Sequence, residues 1–178
     1  PYLLSVNLPA LTLVQEDLTL KDSTWMQTFQ AEALVHIQGH LTLEDLNAFE
    51  ELSLPNLNYI GEIIEADSGV FLPSTAQFDF VMHNSNVDAV YLPNLTTISG
   101  DLKWEEVFRG ERYDLPSLTG IGGDLDVINT GLEVFDMGQL TWVGGDVTFD
   151  QNYYLTHLGT PGSGLSSLAE VLRDLTLT

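Results

Sequence analysis

A short phrase recurs along this chain at a nearly constant interval, and that interval constrains the fold more than any other feature, because a chain that repeats itself must stack equivalent units. Ile98-Ser99-Gly100-Asp101-Leu102, Ile121-Gly122-Gly123-Asp124-Leu125 and Val143-Gly144-Gly145-Asp146-Val147 align without gaps. Weaker copies stand at Val14-Gln15-Glu16-Asp17-Leu18, Ile37-Gln38-Gly39-His40-Leu41 and, slightly shortened, Ile60-Gly61-Glu62-Ile63. A second marker, Leu-Pro with another leucine soon after, runs at a fixed distance ahead of the phrase at Leu8-Pro9, Leu54-Pro55, Leu92-Pro93 and Leu115-Pro116. One interval is irregular, that from Ile63 to Leu102, which is nearly twice the usual length. Placing Phe80 in register one period before Leu102 leaves a shortened turn from Ile63, with Leu72-Pro73 as its marker.

Each repeat supplies a strand. In Asp124-Leu125-Asp126-Val127-Ile128 apolar residues alternate with their neighbours, the period of a strand with one buried side. Stacking at constant period pairs equivalent strands in parallel. The glycines then mark a crowded corner before the strand, and each proline, lacking an N–H, marks another corner or a strand start. The expectation is one all-β domain over residues 1–178, a parallel β-helix or leucine-rich solenoid of about seven turns of about 22–23 residues. Leu18, Leu41, Ile63, Leu102, Leu125 and Val147 would form one buried column. Exposed strand edges at the ends need covers. Leu165, Leu168, Leu172 and Leu175 recur at helical spacing, and Ser167 with Glu170 has capping-box spacing, which predicts a short capping helix within 163–178. Near-helical spacing over 25–33 predicts another in the first turn.

Charge narrows the function. With 26 acidic against 5 basic residues the net charge is −21, so the surface repels phosphate backbones and anionic headgroups. Nucleic acid is excluded as a partner. No apolar run approaches the ~20 residues that span a bilayer, so no direct membrane insertion is expected. There is no cysteine, hence neither a disulfide framework nor thiolate chemistry.

The repeated Leu-Pro-x-Leu-x-x-Ile-x-Gly-Asp-Leu pattern, strongest over residues 92–155, resembles the receptor L-domain family found in insulin and epidermal growth factor receptor ectodomains. It is also similar to the related repeats of fungal cell-wall surface proteins. The resemblance implies a right-handed solenoid, a sheet face used for ligand recognition, and a secreted or cell-surface setting. Lacking the cysteines of flanking Cys-rich modules, the chain fits a microbial surface protein better than a receptor.

Catalytic signatures are missing: there is no Gly-x-Ser-x-Gly elbow, P-loop or His-Glu-x-x-His. The four histidines are scattered, and no metal or cofactor is expected. The column of Asp101, Asp124 and Asp146, extended by Glu62 and Asp79, reads as corner capping rather than a calcium site. A rival enzymatic reading, a polysaccharide lyase or hydrolase, would use Lys103 or Arg109 beside Glu105. A second rival is a structural spacer within a longer surface protein. The favoured reading is a non-catalytic ligand-binding or adhesion module for a protein or glycan. Its candidate surface is the outward side of the strand after the glycine corner, where the first column reads Thr19, Thr42, Ile64, Val81, Lys103, Asp126, Thr148 and the second Lys21, Glu44, Ala66, His83, Glu105, Ile128, Asp150. Ile64, Val81 and Ile128 would form an apolar patch. Segment 104–113, read as an irregular insertion, adds Trp104, Arg109, Arg112 and Tyr113, the residue types of interface anchors. Local relief of the negative field near Lys103, Arg109 and Arg112 would direct docking there. The alternative is that Trp104 and Phe108 are core.

Overall fold

The computed structural model describes residues 2–61, 63–65, 71–73, 76–110, 112–133, 135–158 and 164–178. It is all-β, with no helix among the described residues, and its strands build two long parallel stacks. The 7-stranded sheet consists of very short strands, from Leu13–Val14 through His36–Ile37, Tyr59–Ile60, Thr97–Ile98, Gly120–Ile121 and Trp142–Val143 to Glu170–Val171. We call this the first face. The 11-stranded sheet bends into two further faces. Its second face holds Leu18–Ser23, Leu41–Leu46, the start of Phe80–Tyr91, Leu102–Arg109, Leu125–Ile128, Val147–Asp150 and Leu175–Leu177. The third face holds Ser5–Asn7, Thr28–Gln30, Phe49–Ser53, the end of Phe80–Tyr91 and Arg112–Asp114.

Three corners join the faces, and the sequence makes each. At the Leu-Pro marker the N–H of the second leucine donates to the carbonyl of the first, 3.1–3.2 Å at Leu8/Leu11, Leu54/Leu57, Leu92/Leu95 and Leu115/Leu118. These are β-turns whose second position suits the fixed φ of proline. At the Gly-Asp corner the turns stack so closely that a Cβ on Gly122 would meet the Ser99 carbonyl and one on Gly144 the Gly122 carbonyl. The third corner is a column of left-handed residues, Asp22, Asp45, Asn84, Glu106, Asn129 and Gln151, with φ between 44° and 57°. One such residue redirects the chain from the second face to the third.

Inward residues from all faces fill one core. Leu41, Phe80, Leu102, Leu125 and Val147 form a buried column, Leu18 at its start is half-buried, and Leu175 at its end is 56% exposed. Ile63 is not in it. Phe80 pairs with Leu41 on one side and Leu102 on the other, so no strand lies between them. Strand Ile63–Glu65 instead pairs antiparallel with Phe71–Pro73 as a separate hairpin, and Leu92-Pro93, not Leu72-Pro73, stacks on Leu54-Pro55, with Leu54 N–H donating to the Tyr91 carbonyl. The expected short turn is therefore an excursion inserted after Gly61. Its isoleucines mimic the phrase because a hairpin shares the period of a strand. Glu62 and Ala66 lie outside the described residues.

Both expected helices are strands. Leu168 N–H donates to the Leu165 carbonyl in the same turn the Leu-Pro markers make, and Ser167 Oγ donates to the Gly138 carbonyl at 2.5 Å instead of capping. Glu170–Val171 and Leu175–Leu177 then continue their stacks. The helical spacing of these leucines comes from the turn's own i, i+3 pair. In 25–33, Met26, Phe29 and Ala31 point inward around strand Thr28–Gln30. Nor is 104–113 an irregular insertion: Leu102–Arg109 is a strand paired with its neighbours, with a bulge opposite Ser85/Asn86.

Candidate functional site

The second face displays its outward residues in the register expected, without Ile64, which lies in the hairpin. Across paired strands the first column runs Thr19, Thr42, Val81, Lys103, Asp126, Thr148, Thr176. The second runs Lys21, Glu44, His83, Glu105, Ile128, Asp150. With Ile64 in the hairpin, the apolar patch does not form. Val81 sits between Thr42 and Lys103, while Ile128 sits between Glu105 and Asp150, so each is a single apolar residue among polar neighbours.

Several charged residues of this face pair with one another or with residues beside it. Lys103 Nζ lies 2.6 Å from Asp101, and that hydrogen bond is the main reason its pKa is raised; burial opposes the shift. Glu105 is 3.7 Å from His83 rather than from a lysine or arginine. Arg109 is exposed and makes a long pair with Asp88 at 3.8 Å. Asp126 has a raised pKa, chiefly through burial; the Thr148 hydroxyl lowers it, Asp124 raises it, Lys103 lowers it and Glu105 raises it. Lys103 and Arg109, the residues a lyase would set beside Glu105, are thus each paired with an aspartate.

Two expected ligand contacts belong to the core. Trp104 is 1% exposed, edge-on to Phe80, Tyr113 and Phe135. The buried Tyr113 hydroxyl sits between the carbonyls of Val87 (3.0 Å) and Arg109 (2.8 Å), which share its single proton, and burial pushes its pKa up. Large aromatic rings are favoured inside because they bury the most area, and here they pack edge-on against one another. Phe108, by contrast, is 54% exposed at the bulge and is not core. Arg112 lies in a strand paired at Ala89.

The aspartate column is a backbone cap. Oδ1 of Asp79, Asp101, Asp124 and Asp146 each accepts the N–H of the next residue in the ladder, Asp101, Asp124, Asp146 and Asp174, at 2.8 Å. Asp17 caps His40 in the same way. His40 stands in an aspartate position, and its Nδ1 accepts the Asp79 N–H at 2.9 Å, which sets the proton on Nε2. Charge-assisted bonds of this kind satisfy amides at a corner that offers no strand partner. Among the described residues no group of His, Asp and Glu is placed to hold a metal ion.

Sequence reasoning missed the outward column of the first face. There His36, Tyr59, Thr97, Gly120 and Trp142 stand on successive strands. The available signal was the residue immediately before each inward Ile or Val. An open cavity of about 240 Å³ lies elsewhere, at the C-terminal end of the stack, lined by Phe149, Asn152, Leu155, His157 and Leu177 among others. No protein family model matches the chain, and neither a curated protein nor a solved structure is significantly similar to it.

Proposed function

We propose that this chain is a non-catalytic recognition module of a secreted or cell-surface protein, a right-handed solenoid of about seven turns of the receptor L-domain type that binds a glycan or protein through a sheet face. The observation that carries this reading is the display of outward side chains in unbroken columns across rigidly capped parallel strands, with the ladder of Asp carboxylates fixing one strand to the next. A surface held in this way loses little entropy when it captures a ligand. Against the lyase reading stands the pairing of Lys103 with Asp101 and of Glu105 with His83.

The experiment is a combined glycan and extracellular-protein array probed with the purified domain, followed by incubation with acidic and neutral polysaccharides. Selective capture with no new reducing or unsaturated ends is expected. New ends would move the protein to the enzymes, and the absence of any selective ligand would favour a structural spacer.

A further inference from the structure

We propose that the outward surface of the first face is a binding strip for a neutral polysaccharide, whose sugar rings stack on Tyr59 and Trp142. The proposal rests on the recognition reading above and names its face and ligand class. The second face, where the sequence directed attention, carries Glu44, Glu105, Asp126 and Asp150 in its outward columns. The first face differs. Apart from Glu170 at its last strand, the outward column containing His36, Tyr59, Thr97 and Trp142 has no carboxylate, and neither has the flanking column of Asn58, Thr96, Thr119 and Thr141. On a chain of net charge −21 this strip carries a single carboxylate in those columns, Glu170 beside Trp142. It offers a cationic partner one carboxylate at its end, and its columns offer an anionic glycan no lysine or arginine. What remains is a neutral ligand that is apolar on one side and hydroxylated on its edges.

The chemistry on the strip matches such a ligand. Tyr59 is half-buried, and burial raises its pKa. It is held edge-on by His36, ring centroids 5.6 Å apart, and His36 is fixed by donating from Nε2 to the Gly61 carbonyl at 2.7 Å. The indole of Trp142 closes over Gly120, where any Cβ would collide with it, so the missing side chain seats the ring. Tyr59 and Trp142 lie three strands apart, about 14 Å along the stack at the usual strand spacing. A short oligosaccharide covers that distance, and the faces of its rings present C–H groups suited to the electron-rich face of an aromatic ring. Alongside, the hydroxyls of Thr96, Thr119 and Thr141 each donate to the carbonyl of the preceding turn, Asn58, Thr96 and Thr119, at 2.9–3.0 Å. Their protons are committed, so their oxygens are left as acceptors for sugar hydroxyls. Fixed rings flanked by a row of neutral acceptors form a preorganised sugar surface.

The test is native affinity electrophoresis of the whole chain in gels containing laminarin, yeast mannan, galactomannan or, as the acidic contrast, polygalacturonate. Retardation by at least one neutral polysaccharide and none by polygalacturonate is expected. Trp142→Ala and Tyr59→Ala should each weaken retardation at least tenfold, and Trp142→Tyr, which keeps a stacking ring, should recover most of it. Trp25→Ala and His83→Ala, off the strip, should change nothing. Circular dichroism of each variant establishes folding. Neutral-glycan binding that survives both alanine variants overturns the assignment to this face but leaves the recognition reading standing. A protein ligand from the array, with no glycan retardation, overturns the ligand class. Absence of any ligand in both formats overturns the recognition reading itself.

Discussion

The left-handed corner shows how much one residue type matters in a repeated structure. Asn84 and Asn129 are of the residue type that enters the left-handed region most readily after glycine, and Asn84 Nδ2 also donates across the stack to Asp45 Oδ1 at 2.5 Å. Glu106 and Gln151 hold the same conformation, at φ 56° and 57°, without that advantage. A left-handed residue that is neither glycine nor Asx costs about 1 kcal/mol. Glu106→Asn should therefore raise the melting temperature by about 2–4 °C in a chain of this size, whereas Asn129→Ala should lower it by a similar amount; differential scanning fluorimetry reads both. A second residue effect follows from burial at Asp126. Its raised pKa means that the folded chain holds this proton to higher pH than the unfolded chain. The resulting contribution to stability is present below the ordinary carboxylate range and is lost as pH rises through the raised value, so the ionised side chain opposes folding at neutral pH. Asp126→Asn should melt higher than the parent at pH 7, and the difference should close as the pH falls to about 4. A gap that widens on acidification would reverse the sign.

Among the elements, the 63–73 hairpin is the one that breaks the repeat, and the stack itself says how it was inserted. Phe78 occupies the place that glycine fills in other turns, since Gly100 N–H donates to its carbonyl, and Asp79 caps the next strand. Removing residues 62–77 joins Gly61 to Phe78 and restores the ordinary repeat interval between Leu41 and its partner Phe80. The shortened chain should fold with a single cooperative transition and an unchanged β spectrum, because neighbouring repeats keep their contacts. A molten or helical product would mean that the excursion supports the core. The same comparison shows what can be read in advance. Leu102, Leu125 and Val147 are legible because burial forces an apolar residue at each return of the strand, and Gly100 and Asp101 because the stacked backbone crowds a Cβ at the one and a carboxylate at the other caps the next amide. Ile63 misleads because a hairpin strand and a solenoid strand share a period, and Leu168 because a β-turn and a helix share an i, i+3 spacing. The corner of Asp22, Asn84 and Gln151 carries no apolar signal, and the first-face strip becomes visible only when strands a full repeat apart are set side by side.

At the scale of the whole molecule, a net charge of −21 must be carried by a stack that lines up carboxylates one strand apart. Two kinds of repulsion act. Neighbouring carboxylates in the ladder are about 4.8 Å apart, well inside the Debye length of ~10 Å at about 0.1 M salt, so ions in solution screen them little and the amide donors must offset their repulsion. The remaining charge is spread over the surface at longer range, where salt screens it effectively. The melting temperature should therefore rise as sodium chloride is raised from about 10 to 150 mM and then flatten once the Debye length falls below the typical surface spacing. Divalent cations discriminate between the two kinds. Each Oδ1 of the ladder already accepts an amide, and among the described residues no carboxylate cluster is placed to chelate, so calcium chloride at matched ionic strength should stabilise no more than sodium chloride. An excess of several degrees with calcium, abolished by Asp124→Asn, would instead make the corner column a cation-bridged spine.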